Sequence, residues 1–148
     1  VPDSEGAGEF IGAPSCMAEF GPVGCEMEAN FVSDGCINPA RGVRGGGTGG
    51  AARQSLRRAD GSEEPLPGVA TVVMKPGETL VAHACGGGGF GPPMRRDPAR
   101  VAKNVREKWI SAERAREIYG VAVNENGHVD AEATKRLRTA ASGSAQQT

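Results

Sequence analysis

Residues 86–89 are four consecutive glycines, set in the string CGGGGFGPPMRRDP at 85–98. No other feature restricts the fold of this chain as strongly. A run without a Cβ brings no side chain to a core, and ordering it costs more backbone entropy than ordering other residues. Such a run suits a crossing too tight for any side chain, a close approach to another chain, or a phosphate cradle. The phosphate alternative makes definite demands. A P-loop needs Gly-Lys-Ser/Thr at the start of a helix, and no such Lys follows here. Gly86, Gly88 and Gly91 do fit G-x-G-x-x-G. In a dinucleotide site the third Gly opens a helix inside a βαβ unit. Here Pro92 and Pro93 occupy that place, and Pro93 drives Pro92 out of helical geometry. The run therefore reads as a tight crossing and as a hinge between two parts of the chain.

Composition agrees with a chain that packs little side-chain volume. Glycine accounts for 23 of the 148 residues, and Val, Ile, Leu and Phe together for about 17%. Disordered chains fall below roughly 20% on that sum but also carry a high net charge. The net charge here is −1. The expectation is a chain that folds against a partner. No apolar run is long enough to cross a membrane and no secretory signal is visible, which leads to a cytoplasmic protein with no membrane partner. Charge is segregated: residues 1–40 hold seven acids and no Lys or Arg, and residues 95–116 hold eight basic residues. This split reads first as solvated surface and second as a means of docking two faces.

Residues 1–94 read as a β-rich body and residues 95–148 as a helical docking tail. Cys25, Met27, Ala29 and Phe31 alternate with polar residues, the pattern of a half-buried strand. CMAEF at 16–20 reads as its neighbour across the turn GPVG. ARQSLRRA at 52–59 is a strand ended by the hairpin signal Asp60-Gly61. GVATVVMK at 68–75 and TLVAHAC at 79–85 are strands on either side of a Pro-Gly turn. In the tail, Asp97 suits an N-cap and Pro98 the first helical position, with Val101, Val105 and Trp109 as one apolar stripe. Ser111 caps a second helix with Ala115, Ile118 and Tyr119 on its apolar side and Gly120 at its stop. Residues 121–129 form an extended pair around Asn126-Gly127, and Asp130 caps a third helix carrying Leu137. Residues 142–148 are expected to fray. The fold class is mainly β with a short C-terminal helical tail, completing the fold of a larger partner.

Candidate chemistry is sparse. Cys16, Cys25, Cys36 and Cys85 supply the four thiolates of a structural zinc site, though their spacings contain no C-x-x-C knuckle. Four scattered thiols packed as small hydrophobes are the alternative. His83 is a substitute ligand, on the same strand face as Cys85, and His128 lies in the tail turn. RGVRGGGTGG at 41–50 offers Arg41 and Arg44 to an anion, or else is a close-packed or flexible segment. Arg95, Arg96 and Arg100 lack the aromatic interleaving of a nucleic-acid site, so no nucleic-acid partner is expected. No nucleophile–base pair stands out, and no catalytic or cofactor-binding residue is assigned.

The strings PDSEGAGEF at 2–10, RGGGTGGAARQSL at 44–56 and HVDAEATKRLR at 128–138 are joined by a long one. From 66 to 123 it holds Lys-Pro-Gly-Glu, the glycine run, an aromatic, Gly-Pro, Arg-Asp-Pro, and Ser-x-Glu-x-Ala-Arg-x-x-Tyr-Gly. In this order they resemble the C-terminal segment of hydantoinase B family proteins. That family includes N-methylhydantoinases, 5-oxoprolinases and ATP-dependent acetone and acetophenone carboxylases. The resemblance implies a small, structural, non-catalytic subunit of a multisubunit ATP-dependent ketone carboxylase of the acetophenone type. Its partners would be a larger hydantoinase B-like subunit and hydantoinase A-like subunits that bind ATP and Mg. A subunit of an ATP-dependent hydantoinase or 5-oxoprolinase is the alternative, and a zinc-stabilised interaction module a third.

Overall fold

The computed structural model describes residues 1–144. The strands are β1 (Met17–Phe20), β2 (Met27–Val32), β3 (Arg53–Arg57), β4 (Glu63–Leu66), β5 (Val69–Met74) and β6 (Thr79–His83). The helices are α1 (Pro98–Arg106), α2 (Ala112–Glu117) and α3 (Ala131–Ser144). Two antiparallel sheets form, one of four strands in the order β1-β6-β3-β4 and one ribbon of β2 and β5. The β-rich class with short helices is as expected from sequence. The frayed end expected at 142–148 lies, for residues 145–148, outside the described residues; α3 runs through Ser144.

Strand positions follow the alternation, but one pairing differs from expectation. Met27, Ala29 and Phe31 do face inward while Glu28, Asn30 and Val32 face out. The segment 16–20 does not pair with β2, however. β1 pairs with β6, matching Ala18 to Ala82 and Phe20 to Leu80. β2 pairs with β5, from Met27 opposite Met74 to Val32 opposite Val69. The turn at Gly77 thus carries the chain from the ribbon into the four-stranded sheet, since β5 and β6 lie in different sheets. The Asp60-Gly61 hairpin forms as read, with Gly61 at φ +84° and β3 antiparallel to β4. β4 has no strand signal because Glu63, Glu64 and Pro65 fill it; Pro is tolerated there because β4 is an edge.

The two sheets face each other over one core, with Leu56, Met74 and Leu80 buried and Met27, Phe31, Leu66 and Val72 packed on them. The outer face of the larger sheet is polar, where Arg57 bridges Glu19 at 3.0 Å and Glu63 at 2.9 Å. Exposed pairs of this kind add little stability and mark a solvent face.

The glycine run is the centre of a second assembly built from backbone alone. Gly86 N–H donates to Gly50 O, and Gly50 N–H to Ser4 O. Gly87 N–H donates to Ala13 O while Gly87 O accepts from Gly6 N–H. Gly89 N–H donates to Gly47 O, and Gly47 N–H to Ala7 O. Three segments, near 4–13, 40–50 and 86–91, therefore lie against one another with no side chain between them. A Cβ on Gly86 would stand 1.9 Å from Ser4 O, on Gly88 2.3 Å from Arg41 O, and on Gly89 2.0 Å from Ala7 O. The tight crossing is what the structure shows. The hinge is not: Gly86 and Gly89 are buried, and the run is fixed on several sides.

The helical part does not extend as a separate tail either. Asp97 caps α1 by accepting from Ala99 N–H, and Ser111 caps α2 by accepting from Arg114 N–H, as read. The apolar sides of these helices close on the N-terminal segment: Val101, Ile110, Ala115, Tyr119 and Val121 are buried together with Ala7, and Ile11 packs against them. Trp109 lies beyond α1 and is 42% exposed, so it leaves the expected apolar stripe, and Ile118 is also exposed. The reason is the Asn104 carbonyl, which accepts from both Trp109 and Ile110 N–H and turns the chain so that Ile110 enters the core.

Candidate functional site

Two features stand out from the scaffold. The first is a buried polar cluster that joins the N-terminal segment to α2. Glu5 is fully buried, and its Oε1 accepts from Arg114 Nε at 2.7 Å and from the Tyr119 hydroxyl at 2.8 Å. Arg114 also donates to Glu5 O at 3.1 Å. Asp3 ties the same junction from outside, its carboxylate accepting from Ser111 N–H at 2.7 Å. Beside it, Arg96 is buried and donates to Glu9 O at 2.9 Å and to Asn104 Oδ1 at 3.0 Å.

Burial lowers the Arg114 guanidinium, but the hydrogen bond and charge of Glu5 outweigh it and the net shift is upward. Burial, reinforced by Glu5, pushes the Tyr119 phenol well above its ordinary value near 10. In the folded chain the phenol therefore keeps a proton that the unfolded chain loses from about pH 10 upward. Stability is complete below that pH and falls as pH rises past it. Tyr119 is the single tyrosine. Tyrosinate absorbance of the purified chain is thus expected to appear together with loss of the circular-dichroism signal. A tyrosinate signal that rises near pH 10 with the fold intact would contradict the buried hydrogen bond.

The second feature is an apolar cleft of about 340 Å³ between the inner face of the larger sheet and the β2 side of the ribbon. Cys16, Ala18 and Phe20 line it from β1 and its lead-in, Leu80 and Ala82 from β6, and Phe31 from β2. The ribbon packs on Leu56 of β3 and Leu80 of β6, whereas β1 stays exposed. All four β1 residues are exposed, Phe20 by 46%. At the far end of the ribbon Val32 is 79% and Val69 67% exposed.

The four cysteines expected as one zinc site, Cys16, Cys25, Cys36 and Cys85, are not gathered. Among the described residues no three His, Cys, Asp or Glu side chains are grouped to hold a metal. Topology gives the reason. Cys25 and Cys36 flank opposite ends of β2. Cys16 pairs with Ala84, which places Cys85 on the other side of that ladder. Cys36 instead donates to Gln54 Oε1 at 3.1 Å.

His83 lies between Met17 and Arg53 in the sheet, and burial followed by the Arg53 charge lowers its pKa. Arg44 stands 5.6 Å over the Phe90 ring, and Arg41 is exposed beside the glycine segments. Of the three arginines weighed for phosphate contacts, Arg95 and Arg100 are exposed, whereas Arg96 is consumed inside the protein. Sequence reasoning missed Glu5, which it grouped with solvated acids. The usable signal was the pair of strings containing Glu5 and Tyr119.

Comparison with known proteins gives a consistent result. The family model for hydantoinase B/oxoprolinase matches residues 1–93. Caprolactamase subunit beta of Pseudomonas jessenii is 34% identical over 142 residues, which cover 93% of this chain and 24% of that protein. The crystal structure of ATP-dependent caprolactamase from Pseudomonas jessenii superposes with a TM-score of 0.60 at 28% identity, over 94% of this chain and 25% of that one. A nucleotide-free acetone carboxylase structure superposes with a TM-score of 0.62 at 20% identity, over 98% of this chain and 24% of that one, a likeness of fold. The chain thus spans about a quarter of the length of these relatives.

Proposed function

The chain belongs to the hydantoinase B/oxoprolinase family, and from that premise we propose that it is a structural part of a multisubunit ATP-dependent enzyme. In this reading it completes a hydantoinase B-like body together with a larger hydantoinase B-like partner, while hydantoinase A-like partners bind ATP and Mg. The chain supplies a rigid glycine-backbone block and an apolar cleft. Its charged groups Glu5, Arg114 and Arg96 bond to one another's segments and hold the N-terminal stretch against the helices.

The reaction we favour is opening of a ring amide, as in a lactam or hydantoin. The 34% identity to a caprolactamase subunit over 93% of the chain carries this choice. Carboxylation of a ketone, acetophenone among the candidates, is the second reading, supported by the resemblance of the motifs between 66 and 123. Both use ATP to activate an otherwise unreactive carbonyl group.

The readings separate in one assay. The complex of this chain with its hydantoinase B- and A-like partners is incubated with ATP and a panel of cyclic amides, or with ketones plus bicarbonate. Phosphate release stimulated at least tenfold by a cyclic amide is expected. Stimulation only by a ketone with bicarbonate would replace the first reading by the second, and stimulation by neither class would overturn both.

A further inference from the structure

We propose that the free edge of β2 takes a β-strand from the larger hydantoinase B-like subunit, whose inward side chains fill the cleft over β1. The inference rests on the partner reading above and goes beyond it by naming the surface and the mode of docking.

Backbone geometry shows which groups are free. In antiparallel pairs, residues that exchange both hydrogen bonds alternate with residues whose N–H and C=O point away. Ser33 N–H donates to Gly68 O, so the bonded pairs are Ser33 with Gly68, Phe31 with Ala70 and Ala29 with Val72. Glu28, Asn30 and Val32 therefore direct their N–H and C=O to the side away from β5. Among the described residues β5 is the only strand paired with β2.

Packing points to the same place. A two-stranded ribbon is marginal by itself. Here it faces a four-stranded sheet and leaves the β1 side uncovered, with the cleft between them. A third strand beside β2 would lie over Ala18 and Phe20. Its alternate side chains would enter the cleft, and its backbone would satisfy the free edge, the usual chemistry of strand addition. Natural edges are commonly blunted by Lys or Pro. β1 and β2, MAEF and MEANFV, contain neither.

Charge selects the occupant. Glu26 and Glu28 lie at one end of this edge and Asp34 just beyond the other, and residues 1–40 hold no Lys or Arg. A second copy of β2 would set acid near acid, which is unfavourable across strands. A strand with apolar residues inward and Lys or Arg outward fits. The relatives, four times as long in round terms, carry about three quarters of their length outside the matched part, ample chain to supply it.

The test uses the full chain co-expressed with the large hydantoinase B-like subunit, tagged on the latter. Val32→Pro removes an edge N–H that the β5 ladder does not use, and Ala18→Glu places a charge on the exposed floor of the cleft. Val73→Pro is the control, because Val73 faces the far edge of β5. Wild type and Val73→Pro are expected to co-purify, with Val32→Pro and Ala18→Glu retained at least tenfold less. Slowed amide exchange at Glu28, Asn30 and Val32 in the wild-type complex is the independent readout. Undiminished retention of both variants with unprotected amides would overturn the edge while leaving the partner reading standing. Equal loss in Val73→Pro would also overturn it. Dimers of this chain that vanish in Val32→Pro would make a second copy the occupant. Failure of the wild type to co-purify would overturn the partner reading and this inference together.

Discussion

Gly89→Ala is expected to abolish the cooperative thermal transition of the chain. The added Cβ would stand 2.0 Å from Ala7 O, 2.6 Å from Ala7 C and 2.7 Å from Gly6 O. These are backbone atoms, so no rotamer change relieves the clash. Overpacking of a core costs about 1–3 kcal/mol even where side chains yield. Separating the segments also breaks the bonds from Gly89 N–H to Gly47 O and from Val43 N–H to Gly89 O, at about 1 kcal/mol each. The total, about 3–5 kcal/mol, is comparable with the whole stability of a marginal domain. Gly24→Ala is the contrast. Gly24 has φ +76° but nothing within 4 Å, so only about 1–2 kcal/mol of left-handed strain is expected. Calorimetry of the two purified variants checks the difference; equal, small losses would show that the glycine segments are not packed as described.

Glu5→Ala is expected to cost about 3–5 kcal/mol, the range for breaking a buried pair and leaving its partner charge uncompensated. Arg114 would lose the bond at 2.7 Å, and the Tyr119 hydroxyl would be left buried without its acceptor. Tyr119→Phe removes only the neutral partner and is expected to cost about 1 kcal/mol. The effect should be read at the junction: amide exchange at Ser111 and Arg114 should quicken far more in Glu5→Ala than exchange in β3. Uniform quickening, or no change in the melting temperature, would contradict a clasp between the N-terminal segment and α2.

Local features of this fold were legible in the sequence where one residue type answers a local demand. Asp97-Pro98, Ser111 and Gly120 mark helix ends through capping and φ preference, and Asp60-Gly61 marks a hairpin. The alternation of Met27, Ala29 and Phe31 set the buried face of β2. It did not set its neighbour, because any apolar-faced strand satisfies that pattern. The pairings β1–β6 and β2–β5 bridge long stretches of chain and follow from closing two sheets over one core. The glycine block was visible as a run, yet its partners lie near 4–13 and 40–50, and backbone-to-backbone packing leaves no side-chain pattern to read. Glu5 looked like one acid among seven; its burial depends on Arg114, more than a hundred residues away. The cysteines read as one site because the sequence counts thiols without placing them; in the fold Cys25 and Cys36 stand at opposite ends of β2.

The central proposal is that this chain completes a larger body; its membership of the hydantoinase B/oxoprolinase family and its exposed β1 side support it. Size-exclusion chromatography of the chain co-expressed with the large hydantoinase B-like subunit tests it most directly. The account predicts a single co-eluting complex in fixed stoichiometry. In it this chain melts later than when alone, by an amount equivalent to about 4 kcal/mol for a partner at a thousand times its dissociation constant. A chain that elutes by itself as a monodisperse monomer, melting cooperatively at the same temperature with and without the large subunit, would contradict it.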